Sequence, residues 1–242
     1  MLSKNQQKLI RALGQKKQRK IQGKFLVQGE KNVLELLASD LETEQLFVTD
    51  NFLEANRSAL GNHKVTITDE DNLAKVSTLS SNNAAIAVVK IPKTSSADEG
   101  GLIIALDGVS DPGNLGTIIR LADWYGVKTI VCSLDCADTY NPKTISATMG
   151  SFARVNVITK DLVEYLQTST KPIYGAFLNG ESIHKAALSM DAILLMGSES
   201  HGIRQDVESF VTKKVTIPSF GQAESLNVAM ATGIILDNFK RI

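Results

Sequence analysis

The sequence predicts an α/β protein in two parts, a small layered domain and a larger one built on a parallel sheet. Three observations predict it. Strand-like and helix-like segments alternate along nearly the whole chain. Runs such as AILLM (192–196) show no in/out alternation, as strands covered on both faces do. Three apolar runs, at 102–120, 192–203 and 215–236, each begin as a buried strand and break into a loop of Gly, Ser, Asn or Pro. Such strand ends leave backbone amides unpaired and allow close approach, so α/β proteins bind ligands there. Three in one domain predict one composite site.

The elements follow in order. KNQQKLIRALGQKKQRK spaces Leu9, Ile10 and Leu13 on one helical face and puts charge elsewhere. FLVQ reads as a strand, EKNVLELLAS as a helix, QLFVT as a strand and Asn51 to Leu60 as helical. VTIT is a strand, DEDNLAKVSTL a helix with Asp69 or Asp71 near its cap, and AAIAVVKI a strand. IPKTSSADEGG has Pro, Ser, charge and paired Gly without periodicity, so it reads as a linker. The division is then 1–92, a linker over 93–101, and 102–242. Six longer apolar strands follow: LIIALDG, TIVCSL, ARVNVIT, PIYGAF, AILLMGS and KVTIPS. The first and third of the loop-breaking runs are expected to turn helical at Asn114 and Glu224.

Charge narrows the partner. The 26 basic and 26 acidic residues cancel, but their distribution is uneven. Residues 1–24 carry eight Lys or Arg and no acid, residues 25–92 five basic and ten acidic, and the remainder thirteen and sixteen. A basic arm of this kind suits a polyanion. Its competing readings are a solvated helix face and a mitochondrial targeting peptide, although those are richer in Ser and Arg. The start, MLSKNQQK, lacks an apolar signal core, and Val228 to Leu236 falls far below the ~20 residues needed to cross a bilayer. A cytoplasmic protein without membrane attachment is expected. The two cysteines, Cys132 and Cys136, fit a reducing compartment. Their spacing is no CxxC, no histidine lies nearby, and packing at a strand edge is expected rather than metal binding.

Several chemistries drop out. No GxGxxG follows a strand, which removes the fingerprint of a nicotinamide oxidoreductase. Gly108 to Gly113 has P-loop spacing, but Asn114 stands where Lys is required. Ser200 and His201 are adjacent, yet GSESHG is not GxSxG, and sequence neighbours seldom point at each other; a hydrolase is not expected.

DPGNLGTIIRLADWYGV, LLMGSESHGI and IPSFGQAESLNVAMATGIIL together resemble the SpoU (TrmH-like) branch of the SPOUT superfamily, S-adenosylmethionine-dependent RNA ribose 2′-O-methyltransferases. Asn114, Gly116 and Arg120 match the first motif; Gly197, Glu199 and Gly202 the second; Ile217, Pro218, Glu224, Ser225, Leu226 and Asn227 the third. NPKTISATMGSF is similar to the intermediate segment, with Ser146 where many members have Arg. The resemblance implies a trefoil-knotted parallel-sheet methyltransferase domain, preceded by a ribosomal-protein-like RNA-binding domain. It implies a homodimer acting on rRNA or tRNA, with no metal.

It also implies roles. Arg120, Asn114, Glu199, Ser225 and Asn227 belong to the catalytic constellation. Gly197, Ile217 and Leu226 hold the cofactor, with the strand end at Ala176 to Leu178. Lys16, Lys17, Arg19 and Lys20 contact RNA. A guanidinium pKa above ~12 makes Arg120 a poor base, so it is expected to bind phosphate and stabilise a developing alkoxide. Ordinary structural roles compete: a salt bridge from Arg120 to Asp123, helix caps for Asn114, Ser225 and Asn227, a loop cap for Glu199, and core packing for Ile217 and Leu226. A non-catalytic RNA-binding or ribosome-assembly factor on the same fold is the alternative function.

Overall fold

The structure, a computed structural model, describes residues 2–79, 82–93 and 100–241. Residues 94–99 of the expected linker lie outside the described residues. The chain forms two compact units, Met1–Lys93 with Asp138–Arg154, and Thr94–Ala137 with Val155–Ile242.

The first unit begins with helices α1 (Lys4–Leu13) and α2 (Lys16–Gln22). Ser3 starts α1 through a capping box with Gln6, which satisfies two otherwise orphaned amides. Then come β1 (Lys24–Gln28), α3 (Glu30–Leu37), β2 (Thr43–Val48), α4 (Asp50–Ala55), α5 (Arg57–Leu60), β3 (Val65–Ile67), α6 (Glu70–Val76) and β4 (Ala85–Lys90). Asp69 caps α6 by accepting from the amide of Asn72. The sheet order is β1-β4-β2-β3; β4 runs antiparallel to both neighbours, and β2 and β3 are parallel.

Both faces of this sheet are covered. Phe25, Val27, Leu46, Val48 and Ala87 pack with Val33, Leu36 and Phe52 on one side. Leu26, Phe47, Ile86 and Val88 pack with Ile10, Leu13, Leu73 and Val76 on the other. The basic N-terminal segment is therefore a folded layer of the domain and not a free arm, because its apolar stripe completes the second core.

The second unit contains β5 (Ile103–Asp107), α7 (Pro112–Trp124) and β6 (Thr129–Cys132). The chain then enters the first unit through α8 (Pro142–Thr148) and a 3-10 turn at Ser151–Ala153. Ile145 joins the Phe25 core, Tyr140 and Phe152 set their rings against Phe25, and Arg154 pairs with Glu35. Apolar burial thus draws 138–154 away from the expected division, which assigned everything after 102 to the second part. The second unit resumes with β7 (Asn156–Thr159), α9 (Leu162–Gln167), β8 (Ile173–Ser182), β9 (Ile193–Gly197), α10 (Gln205–Glu208), β10 (Lys213–Thr216) and α11 (Val228–Lys240).

Its six strands are all parallel, in the order β10-β8-β9-β5-β6-β7. One face carries Ile104, Leu106, Leu194 and Met196 against α7 and α11; the other carries Ile103, Ala105, Ile193 and Leu195 against α9 and α10. This two-sided burial explains the unbroken apolar runs. The chain steps outward from β5 to β6 and β7, then returns to place β9 on the other side of β5. Connections leaving β5 and β9 therefore diverge, opening a crevice at the carboxyl ends of the strands.

Candidate functional site

Three strand tips supply the polar groups. After β5, Asp111 caps α7 by accepting from the amide of Asn114 at 2.9 Å, and Pro112 occupies the first turn. The helix starts two residues before the expected Asn114, so Asn114 is not the cap and its side chain is free to point elsewhere. After β9, the loop Ser198–Gly202 closes on itself through paired backbone bonds of 3.0 and 2.9 Å. Only glycine fits at 197, because a Cβ there would sit 2.1 Å from the carbonyl carbon of Gly202. After β10, the chain stays irregular through Leu226, and α11 starts at Val228 rather than at Glu224. Asn227 is its cap, accepting from the amides of Ala229 at 3.0 Å and Met230 at 3.3 Å.

The three tips meet. Asn114 Nδ2 donates to Glu199 Oε1 at 2.8 Å. Asn227 Nδ2 donates to the same oxygen at 2.7 Å and to Asn114 Oδ1 at 3.0 Å. The amide of Val228 reaches Glu199 Oε1 at 3.4 Å. A carboxylate accepting this many donors fixes both asparagines. The competing cap for Asn227 is real and coexists with this role, since its Oδ1 caps the helix while its Nδ2 serves the triangle.

Beside the triangle lies a cavity of about 800 Å³, within the ordinary range for a small-molecule site. The loops after β9 and β10 form two of its walls. The third is an excursion of β8: Gly175 pairs with Lys214 and Glu181 with Val215, so residues 176–180 bulge out of register. Ala176, Leu178, Gly197, Ile217 and Leu226, the five expected cofactor residues, all line this cavity, as do Glu199 and Ser225. The donor set suits S-adenosylmethionine. Apolar Ile217 and Leu226 can cover a purine, and Gly197 brings its backbone to the cavity wall.

Residues 101–237 match the SpoU rRNA methylase family, and residues 4–87 match an MRM3-like substrate-binding domain. The chain belongs to the SpoU rRNA methylase family. RlmP of Bacillus subtilis, named a 23S rRNA guanosine 2′-O-methyltransferase, is 31% identical over 239 residues, covering 97% of this chain and 96% of its own. A TrmH-family protein from Porphyromonas gingivalis superposes with TM-score 0.89 at 37% identity over 100% of this chain and 99% of its own. An AdoMet-bound rRNA methyltransferase from Sinorhizobium meliloti does so with TM-score 0.87 at 27% identity, over 100% and 97%.

Not every expected residue of this SpoU chain joins the cluster. Arg120 is exposed on α7 and its side chain has no hydrogen bond or ion pair to a described residue, so the expected bridge to Asp123 is absent among them. Arg19, expected on RNA, is 2% exposed; its Nη2 lies 2.5 Å from Asp138 and its Nη1 donates to the carbonyl of Leu13. Its position on the inner face of α2 makes it structural. Lys16, Lys17 and Lys20 are exposed. Ser200 and His201, expected to point apart, bond at 2.7 Å. The tight loop turns both outward, but no described carboxylate orients the other ring nitrogen, so no triad results.

Sequence reasoning missed two groups. Asp107 ends β5 fully buried and pairs with Arg204, and nothing in their spacing connects residues 97 apart. Cys136, buried at 7%, donates to the carbonyl of Leu106. Hydrogen bonding from Cys132 and Ser133 draws the Cys136 thiol down to about 7, while the same contact and burial push Cys132 up. Both thiols are free.

Proposed function

We propose that this chain transfers a methyl group from S-adenosylmethionine to a ribose 2′-hydroxyl of ribosomal RNA, using the cavity for the donor and the Asn114–Glu199–Asn227 triangle for the reacting end. The observation that carries this reading is that all five cofactor candidates line a single cavity whose wall also bears Glu199.

When bound, the sulfonium donor supplies an electrophilic methyl carbon. The chain's own residues then have a positioning task, since in-line displacement needs the oxygen and carbon aligned more than it needs covalent help. Glu199 holds Asn114 and Asn227 rigid, so their amides meet the nucleotide without reorganising. Arg120 places a permanent positive charge on the exposed side of α7. It grips a phosphate next to the target ribose and stabilises the alkoxide as its proton leaves to solvent. Ser225 presents a hydroxyl at the cavity rim.

Exposed Lys16, Lys17 and Lys20 on the first unit supply sequence-independent phosphate contacts. The kinship with RlmP favours 23S rRNA over tRNA. The reading includes the trefoil threading, a cytoplasmic location beside the ribosome and a homodimer. Exposed Trp124 on α7 and Met230 on α11 give a second copy apolar surface to cover. No helix among the described residues is long and apolar enough to cross a membrane, and no cluster of potential metal ligands is found among them.

Labelled S-adenosylmethionine with total RNA tests the reaction; label is expected on ribose, and label on a base overturns the assignment. Failure of the wild-type protein to bind donor favours the non-catalytic RNA-binding alternative. Arg120→Ala is expected to abolish turnover and leave donor affinity within about twofold.

A further inference from the structure

We infer that Arg204 is a positioning residue for donor binding: anchored on Asp107, it holds the Ser198–Ile203 loop where that loop can wall the cavity. The inference rests on the cavity being the donor site.

The side chain of Asp107 is 0% exposed at the tip of β5. A carboxylate there needs matched donors, because an unpaired buried charge is very costly. Arg204 provides them all. Its Nε donates to Asp107 Oδ1 at 2.8 Å, its Nη2 lies 2.5 Å from the same oxygen, and its backbone amide donates to Oδ2 at 2.8 Å. Both oxygens are thus committed to one residue, by side chain and main chain together.

The other face of the guanidinium meets the loop after β6. Asp135 Oδ2 lies 3.5 Å from Arg204 Nη1. Ser133 donates to Asp135 Oδ1 at 2.5 Å and accepts from the amide of Gly108 at 2.9 Å. The loops after β5, β6 and β9 are therefore joined by one chain of charge-assisted bonds. Its effects on ionisation agree: bonding to Asp107 raises the Arg204 pKa, and Ser133, followed at longer range by Arg204, lowers that of Asp135.

Arg204, Asp107, Ser133 and Asp135 do not line the cavity, whereas Ser198 through Ile203 do. The loop is stiff, closed by the Ser198–Gly202 pairing and turned by Gly202 at φ +67°. A stiff loop moves as a body, and Arg204 is the foot on which this one stands. Glu199, which collects Asn114 and Asn227, rides on it. Displacing the foot shifts the backbone at Gly197 and the Glu199 carboxylate together, and misplacements of about 1 Å cost up to about 100-fold.

The experiment compares full-length wild type, Arg204→Met, Arg204→Lys and the double variant Asp107→Asn/Arg204→Met. It uses calorimetric titration with S-adenosylhomocysteine, then steady-state methylation and RNA binding against salt. Arg204→Met is expected to raise the dissociation constant about tenfold or more. Lysine is expected to recover part of that, and the double variant to be no worse than Arg204→Met, since the stranded carboxylate is gone. Because Glu199 rides on the same loop, the turnover number at saturating donor is expected to fall as well, while RNA affinity and its salt slope stay within about twofold. An Arg204→Met that binds donor within twofold of a binding-competent wild type overturns the inference alone, whether or not its melting temperature falls. So does a weakened RNA affinity and salt slope with donor affinity unchanged, which would make Arg204 a phosphate contact. A wild type that binds no donor overturns the inference together with the reading of the cavity.

Discussion

The basic face of α1 and α2 and the strand tips of the second unit use polar side chains in opposite ways. On the helices, polarity stays outside: Lys16, Lys17 and Lys20 are exposed over an apolar layer, and the one guanidinium that turns inward, Arg19, is neutralised by Asp138. At the strand tips, polar groups from distant segments turn toward one another and spend their hydrogen-bonding capacity on mutual placement. The first arrangement tolerates exchange of one lysine for another. The second fixes identity, because each amide or carboxylate has two or three specified partners. A surface that reads phosphate needs charge in roughly the right place; a site that aligns one oxygen with one carbon needs rigid geometry.

The comparison is broken most severely at Glu199. Glu199→Ala is expected to lower turnover by about 100- to 1,000-fold while leaving RNA affinity within about threefold, measured by single-turnover methylation and filter binding. Comparable losses in both would erase the distinction between the regions. Arg19→Met should cost about 3 kcal/mol in denaturant unfolding, since it strands Asp138, and leave the salt slope of RNA binding unchanged. Replacing Lys16, Lys17 and Lys20 together by Ala should do the reverse, reducing that slope by about 2–3 with stability within about 0.5 kcal/mol. The smallest effect is expected at Cys136, whose folded pKa of about 7 lies below the ordinary 9.0. A depressed folded value stabilises the fold above the unfolded pKa, and that gain fades as pH falls through 7. Stability should therefore rise between pH 7 and 9 by about 2 kcal/mol at most, and the slope should vanish in Cys136→Ser. Measurements stay below pH 9, where the raised Cys132 would begin to act in the opposite sense.

What was legible in the chain follows the same split. The strands of both units are legible as apolar or alternating segments; in β4, β5, β6 and β9 two-sided burial writes itself as an unbroken apolar run, whereas β3, β7 and β10 are only partly buried. The stripe of Leu9, Ile10 and Leu13 encodes a packed helix while the surrounding charge density suits an arm; the burial of Ile10 and Leu13 makes the segment a packed layer. The cavity residues were readable through motif resemblance and small-residue loops. Residues 138–154 and the Asp107–Arg204 pair were not, because both depend on where separate segments come to rest, which local pattern does not encode. The helices start at Pro112 and Val228, not at Asn114 and Glu224, with Asp111 and Asn227 as their caps; Asn227 caps through its oxygen and bonds Glu199 through its nitrogen, two roles that look alike from sequence.

That double duty at Asn227 has a thermodynamic consequence. Its oxygen nucleates the C-terminal helix while its nitrogen steadies the Glu199 carboxylate. Fraying of the first turn of α11 and slackening of the reaction centre are therefore one event with one equilibrium constant. A donor or nucleotide that favours the ordered centre must also slow amide exchange at Ala229 and Met230, so the end of the chain reports occupancy of a pocket it helps to assemble.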